Sequence, residues 1–248
     1  MGILILKVQY YTITHLISHA STRSLMSHKT FVIGDVHGCY YTLLNLLQKL
    51  PVNSRKIFVG DLCDRGLHSC QVFELCINNN FEVVKGNHED YMYTYAHDAI
   101  EGKPNRWIDL NYMGGQKTLQ SYKGNMERFL KHREWIATLP KYIMSKNVFI
   151  THGFGLPYFK RRDKEESRIG LLKNRITDEP EWGHEWEKGW ENYEIFNVFG
   201  HTMYDEPLFG PNYCGIDLGC GAGKRLAALE LESKTWIYEN VNSKDRSN

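Results

Sequence analysis

The chain has 248 residues, of which 42% are hydrophobic and 24% charged, and its formal net charge is +1. These values are typical of a globular protein with a sizeable core, and they give no basic balance that would favour nucleic acid. No apolar stretch is long enough to cross a membrane, so we expect neither a nucleic-acid nor a membrane partner. The six cysteines form no CxxC pair, which favours reduced thiols in a cytoplasmic protein.

Residues 1–29 precede the first recognisable strand and are interpreted as an N-terminal extension outside the fold. A short apolar start followed by Ser, Thr, His, Lys and Arg without an acid has some resemblance to a transit peptide. A disordered extension, or a translation start at Met26, is the favoured alternative. We expect one domain over residues 30–241 and a C-terminal tail over residues 242–248.

Strand and helix patterns alternate over the first hundred residues. The strands are predicted at 29–34, 56–60 and 81–85, and the helices at 39–50, 70–78 and 89–99. This alternation predicts βαβ units and a sheet that is at least partly parallel. Each strand runs into a polar cluster led by glycine. Ligands in open α/β sheets bind beyond the carboxyl ends of the strands, so these clusters should meet at one edge.

The remaining chain is predicted to cap and complete this fold. Helices are expected at 115–122 and 126–139 in a polar middle segment, and strands at 148–151, 195–200, 213–217, 225–231 and 235–240. The last three strands are expected to be antiparallel. Trp182, Trp186 and Trp190 are spaced at i, i+4 and i+8, which predicts one helix face that packs against the body of the protein.

Polar and charged side chains, most of them able to bind metal, follow several of the predicted strands. They are Asp35 and His37, Asp61 and Asp64 with Arg65, Asn87 and His88, His152, and His201. A single histidine at a strand end is more often a hydrogen-bonded core residue, but packing gives no reason to place such groups at every strand exit.

The candidate ligands are carboxylates, an amide and imidazoles, a set that suits Mn, Fe or Zn. They are Asp35, His37, Asp61, Asn87, His152 and His201. These are too many for one ion and fit two divalent ions that share one carboxylate. Such a pair, about 4 Å apart, is a common catalyst of phosphate-ester hydrolysis.

Five motifs in this order resemble those of the calcineurin-like metallophosphoesterases. They are GDVHG at 34–38, GDLCDRG at 60–66, GNHE at 86–89, THG at 151–153 and GHT at 200–202. More narrowly, they resemble the small bacterial and bacteriophage-lambda-type members of the phosphoprotein phosphatase (Ser/Thr phosphatase) family. The resemblance runs from Phe31 to Asp217. It implies an α/β fold, a metallophosphatase-type β-sandwich with mixed sheets and βαβ units flanked by helices in a single domain.

The resemblance also implies how the metal ligands are shared. Asp35 and His37 would hold the first ion, and Asp61 would bridge both. The second ion would be held by Asn87, His152 and His201.

Catalytic roles follow from the same resemblance. His88 would be the general acid that protonates the leaving oxygen, with Asp64 paired to it, and Arg65 would bind phosphoryl oxygens. Arg175 is the best candidate for a second phosphate-binding arginine. Arg161 and Arg162 are the alternatives.

We therefore predict a phosphoric monoester hydrolase of the Ser/Thr protein phosphatase type, acting on a phosphoprotein or a small phosphoester. A hydroxide that bridges two ions, Mn with Fe or Zn as alternatives, would attack phosphorus directly. The alternative is a symmetrical diadenosine tetraphosphate hydrolase. Those hydrolases have Ala-Arg and GNHD where this chain has Asp64-Arg65 and Glu89, which favours the protein phosphatase branch. A non-catalytic relative is disfavoured because no ligand is lost.

Overall fold

Two five-stranded sheets form the centre of the protein in a computed structural model that describes residues 29–177 and 185–246. The first sheet contains, in spatial order, β10 (Trp236–Asn240), β9 (Arg225–Glu230), β1 (Thr30–Ile33), β2 (Arg55–Phe58) and β3 (Glu82–Val83). The second contains β4 (Tyr142–Ser145), β5 (Val148–Thr151), β6 (Phe196–Phe199), β8 (Tyr213–Gly215) and β7 (Leu208–Phe209). Both sheets are mixed: β1, β2 and β3 are parallel to one another, as are β5, β6 and β8. In the first sheet β9 is antiparallel to β1 and β10 is antiparallel to β9, and in the second sheet β4 is antiparallel to β5 and β7 to β8.

The two sheets pack face to face across an apolar layer. Val32 and Ile57 from the first sheet meet Ile150 and Val198 from the second, and all four are fully buried. Ile33, next to Val32, belongs to the cluster on the opposite face, because successive side chains of a strand alternate between the two faces. The predicted β-sandwich with mixed sheets is therefore confirmed.

Most α-helices of the described residues cover the outer face of the first sheet. The helices are α1 (Tyr40–Gln48), α2 (Ser69–Asn78), α3 (Asn87–Ile100), α4 (Arg106–Asp109), α5 (Gly115–Ser121), α6 (Met126–Ala137) and α7 (Arg168–Lys173). Leu43 of α1, Phe73 of α2 and Phe129 of α6 are fully buried in one cluster with Ile33. Leu171 of α7 packs instead against the outer face of the second sheet.

Some predicted elements differ from the structure. β8 was expected in an antiparallel closure, but it pairs in parallel with β6, so its end reaches the same edge as the end of β6. β4 and α4 were missed because β4 is only half-buried along its length and α4 is a single turn. The third helix begins at Asn87 rather than at Glu89, which places Asn87 and His88 in its first turn.

The tryptophan spacing did not produce a helix face in the described residues. Trp186 lies in irregular chain, Trp190 begins a short 3-10 helix, and Trp182 lies outside the described residues. The rings of Trp186 and Trp190 lie 6.0 Å apart, and both contact Phe154. For these two residues, packing against the body is what the structure shows.

The two ends of the chain differ in what can be described. Residues 1–28 of the expected extension, and residues 247–248, lie outside the described residues. Residues 242–246 pack onto α1, because the carboxylate of Asp245 accepts hydrogen bonds from the backbone of Tyr41 and Thr42 at the start of that helix. Within residues 29–177 and 185–246, no helix combines the length and apolar character needed to cross a membrane.

Candidate metal centre

The predicted ligands converge at one edge of the sandwich. Asp35 and His37 follow β1, and Asp61 follows β2. From the second sheet, His152 follows β5 and His201 follows β6. The edge therefore collects side chains from both sheets, as expected from the glycine-led clusters.

The backbone at this edge is held in an uncommon conformation. Five site residues have φ between 48° and 73°: His37, Asp61, Asp64, Arg65 and His201. L-residues seldom adopt left-handed φ, because each instance costs about 1–3 kcal/mol and persists only where the surrounding structure imposes it. The fold therefore accommodates this conformational cost at the residues whose side chains form the site.

Asp61 lies at the centre of the cluster. Its Oδ1 is 3.3 Å from Nε2 of His152, and its Oδ2 is 3.6 Å from Nε2 of His37 and 3.8 Å from Nε2 of His88. Two groups of possible ligand atoms, each within 4.8 Å, both include Asp61: one with His37 and His88, the other with Asp35 and His152. A carboxylate shared by two groups fits the bridging position expected for Asp61, although Asp35 groups here with His152 rather than with His37.

The imidazoles are oriented by backbone carbonyls. Nδ1 of His37 lies 2.8 Å from the carbonyl oxygen of Cys63, and Nδ1 of His152 lies 2.9 Å from that of Val59. A hydrogen bond donated from Nδ1 leaves Nε2 directed at the cluster, an arrangement common in metal-binding histidines. Oδ1 of Asn87 lies 2.9 Å from Nε2 of His152 and joins the same group.

The electrostatics of the edge fit divalent cations. Burial, together with the nearby carboxylate of Asp217, holds the pKa of Asp35 well above its usual range. Burial opposes ionisation of Asp61 as well, but the imidazoles around it, His152 first, hold its pKa well below its usual range. Burial lowers the pKa of His152, but the charge of Asp61 outweighs it and raises that pKa to about 10. A cation against these carboxylates would compensate their burial as that proton does.

His201 gives an independent sign of a missing partner. Its backbone N–H donates to Oδ2 of Asp35 at 3.1 Å, and burial followed by the charge of His152 lowers its pKa to about 3. The side chain is therefore neutral, and its Nε2 is buried without a hydrogen-bond partner among the described residues. An unpaired imidazole nitrogen beside buried carboxylates is a suitable ligand atom for a divalent ion.

Asp217 is a site residue that was missed. It is 5% exposed, and its Oδ1 accepts a hydrogen bond from the backbone of Gly219 at 2.9 Å. It follows β8 as Asp35 follows β1, so the rule that found the candidate ligands could have found it. It lies near Asp35 because β8 runs parallel to β6.

His88 is fixed through a buried network. Its Nδ1 lies 2.6 Å from Oδ2 of Asp64, which is fully buried. Asp64 also accepts hydrogen bonds from Nε1 of Trp107 at 2.9 Å and from Oγ1 of Thr118 at 2.7 Å. Trp107 and Thr118 belong to the middle segment, which had been expected only to cap the site.

Glu89 links the loops that follow β2 and β3 through buried hydrogen bonds. Its carboxylate is fully buried and accepts backbone hydrogen bonds from Asp61 and Leu62 at 2.8 Å and from Gly86 at 2.9 Å. The ends of β2 and β3 are thereby tied to the first turn of α3. Glu89 maintains the positions of these loops and does not reach the open part of the site.

The two proposed phosphate-binding arginines lie at the open side. Arg65 has guanidinium nitrogens 2.7 Å from Nε2 of His37 and 3.1 Å from Nε2 of His88. Arg175 lines the space in front of the cluster. The alternatives lie elsewhere: Arg161 stacks over the ring of Tyr158, and Arg162 donates to the carbonyl oxygen of Phe159.

Two cavities flank the cluster. The Lys173 cavity, about 290 Å³, is lined by Asp61, Arg65, Asn87, His88, Tyr91, Tyr112, Met113, Lys173, Arg175 and His201. The Asp217 cavity, about 400 Å³, is lined by His37, Arg65, Tyr112, Arg175, His201, Thr202, Met203, Asp217, Gly219, Gly221 and Ala222. They share both arginines, and Tyr112, which is 68% exposed, stands on their common rim.

Relatives of this chain carry a name that the sequence did not predict. It is 31% identical over 234 residues to the asymmetrical bis(5'-nucleosyl)-tetraphosphatase PrpE of Bacillus cereus, covering 80% of this chain and 88% of that protein. It is 27% identical over 223 residues to the enzyme of the same name in Anoxybacillus flavithermus, with the same coverage.

These similarities overturn two predictions. The assignment as a Ser/Thr protein phosphatase that hydrolyses phosphomonoesters is wrong, and so is the alternative of a symmetrical diadenosine tetraphosphate hydrolase. Asp64 and Glu89, the residues on which the choice of substrate rested, do not determine the substrate. Both carboxylates are fully buried, so they position the site and do not contact what enters it.

The fold comparison agrees with the sandwich described above. A protein serine/threonine phosphatase from Saccharomyces cerevisiae superposes with a TM-score of 0.62 at 17% identity, covering 91% of this chain and 83% of that one. At this identity the likeness shows the shared fold alone.

The family model described as calcineurin-like phosphoesterase matches residues 28–215. This chain therefore belongs to the calcineurin-like phosphoesterase family, whose members use divalent metal ions.

Proposed function

We propose that this protein hydrolyses bis(5'-nucleosyl) tetraphosphates asymmetrically, giving a nucleoside triphosphate and a nucleoside monophosphate. The observation that carries the proposal is the similarity to the relative named for this activity, at 31% identity over 80% of the chain. The candidate metal centre with a cavity on each side supports it. A dinucleoside tetraphosphate has two arms that extend in opposite directions from the bond to be broken.

The metal ions are assigned to the ligand set expected from the sequence. Asp35, His37, Asp61, Asn87, His152 and His201 would hold two divalent ions, with Asp217 close to Asp35. When bound, such ions activate water and neutralise phosphoryl oxygens. Mn remains the proposed metal, with Fe and Zn as alternatives, since an N/O ligand set accepts all three.

The chain's own side chains are assigned the remaining tasks. Arg65 and Arg175, which line both cavities, would bind the phosphoryl oxygens, as planar guanidinium groups do with two parallel hydrogen bonds. His88 would give a proton to the leaving oxygen. Asp64, at 2.6 Å from its Nδ1, orients the imidazole ring.

The domain over residues 30–241 and the cytoplasmic location remain proposals. All six cysteines are free and buried, in keeping with the reduced thiols on which the cytoplasmic assignment rests.

A parallel assay tests the proposal. Purified protein with Mn²⁺ is given diadenosine tetraphosphate and, separately, a phosphoserine peptide. We expect turnover of the dinucleotide only, and its loss in Asp61→Asn and His88→Asn. Turnover of the peptide with the dinucleotide left intact would contradict the proposal.

A further inference from the structure

The two cavities at the candidate metal centre differ in the charge of their walls. Among the described residues, the lining of the Lys173 cavity adds one lysine to the shared arginines, and its one carboxylate is the candidate ligand Asp61. The lining of the Asp217 cavity adds a buried carboxylate, Asp217, and no lysine. A chain of three phosphates carries more negative charge than one phosphate. The larger anionic fragment is therefore better matched to the Lys173 cavity.

Lys173 is held close to the candidate proton donor. Its Nζ lies 3.1 Å from the hydroxyl oxygen of Tyr91 and 4.6 Å from the centre of that ring. Tyr91 lies three residues after His88 on α3, so the two side chains share a helix face, and their rings are 6.3 Å apart. Lys173 ends α7, which packs against the second sheet, whereas α3 packs against the first. Two separate elements thus place an ammonium group and a phenol beside His88.

The leaving fragment must extend from the atom that His88 protonates. His88 lines the Lys173 cavity and is absent from the lining of the Asp217 cavity. We propose that Lys173 and Tyr91 bind the leaving triphosphate, an inference that rests on the proposed function. Water would then attack the phosphorus at the nucleoside monophosphate end.

The reaction then has a defined course. The water oxygen forms a bond to the phosphorus that carries the first nucleoside and releases one proton to the solvent. The bond from that phosphorus to its bridging oxygen breaks, and the electron pair stays on the bridging oxygen. That oxygen takes a proton from His88 and departs as the terminal oxygen of the nucleoside triphosphate. Lys173 stabilises the charge that develops on this fragment.

Removing the ammonium group tests the subsite. Lys173→Gln should lower kcat/KM for diadenosine tetraphosphate roughly 10- to 100-fold, the usual effect of losing a charged contact to a phosphate chain. The p-nitrophenyl ester of thymidine 5'-monophosphate presents the same attacked phosphorus with an uncharged aryl group in place of the phosphate chain, so its hydrolysis should fall much less than that of the dinucleotide. Lys173→Arg should retain most of the dinucleotide activity. Lys146→Gln, remote from the site, is the matched control. Equal losses on both substrates in Lys173→Gln would overturn the subsite.

Isotope labelling tests the point of attack without a variant. In water enriched in oxygen-18, the wild-type protein should place the label in adenosine monophosphate and none in adenosine triphosphate. Label in the triphosphate would overturn the inference while leaving asymmetrical hydrolysis intact. Failure to form these two nucleotides at all, with the nitrophenyl ester still hydrolysed, would overturn the proposed function and this inference with it.

Discussion

Trp107 donates its indole hydrogen bond to Oδ2 of Asp64, the same oxygen that holds Nδ1 of His88. All three side chains are buried, so a residue of the middle segment sets the geometry of a candidate catalytic group through the carboxylate that both contact. The segment between α3 and β4 therefore supports the centre from within as well as lining its entrance.

Trp107→Phe tests this relationship. Phenylalanine keeps most of the apolar volume but removes the donor, so one buried carboxylate oxygen loses a hydrogen bond. We expect the free energy of unfolding to fall by about 1–2 kcal/mol, measured in urea. We also expect kcat to fall roughly tenfold, because His88 is less well held. Unfolding at the wild-type midpoint together with wild-type kcat would show that the indole bond has no such role.

Glu89→Gln tests how the loops are held. The carboxylate accepts three backbone hydrogen bonds, whereas the glutamine amide turns an NH2 group toward at least one backbone N–H. A buried donor that faces another donor costs stability, and we expect a loss of roughly 3 kcal/mol in urea unfolding. Glu127→Gln, at an exposed position on α6, is the control and should leave the unfolding midpoint unchanged. Equal midpoints for the two variants would contradict this role for Glu89.

Gly200→Ala tests the ligand geometry. A Cβ atom at Gly200 would overlap Oδ1 of Asp35, so the carboxylate must shift. We expect affinity for Mn²⁺ to fall roughly 10- to 100-fold, the range seen when a ligand loses its support, measured by calorimetric titration. Gly124→Ala is the control: alanine is strained at its φ of 82°, but a Cβ there meets no atom within 4 Å and the residue lies between α5 and α6, so Mn²⁺ affinity should not change. Unchanged affinity in Gly200→Ala would show that Asp35 is not a ligand.

His132 makes stability depend on pH. It is 6% exposed, its Nδ1 lies 2.7 Å from the hydroxyl oxygen of Tyr122, and burial lowers its pKa to about 4. An unfolded histidine has a pKa of about 6.5, so between these values the unfolded chain binds the proton and the folded chain does not. Stability is complete above about pH 6.5, and by pH 5 this residue alone should remove about 2 kcal/mol.

The variant His132→Gln isolates this contribution. Glutamine keeps a polar partner for Tyr122 but does not titrate in this range. Urea unfolding at pH 7 and pH 5 should show a smaller loss in the variant than in the wild type, by about 2 kcal/mol. The same pH dependence in both proteins would locate the acid sensitivity elsewhere.

Much of the fold was predictable because its signals are local. The strands before Asp35, Asp61 and His152 are short apolar runs ended by glycine or threonine, and the order of strands and helices implied a shared edge. The candidate ligands were therefore found before their distances were known.

What was missed depends on long-range packing. Asp217 lies near Asp35 because β8 pairs in parallel with β6, a pairing that the spacing of residues does not encode. Trp107 and Thr118 reach Asp64 from a segment without a motif, through the packing of α4 and α5. Substrate choice was predicted wrongly because the motif residues used for it are buried, while the residues that line the cavities lie mostly outside the motifs.

The identity of the products tests the central proposal most directly. Diadenosine tetraphosphate is incubated with the protein and Mn²⁺, quenched at early times and resolved by anion-exchange chromatography. We predict equal amounts of adenosine triphosphate and adenosine monophosphate from the first time point. Adenosine diphosphate as the sole product, or an intact dinucleotide, would contradict the account.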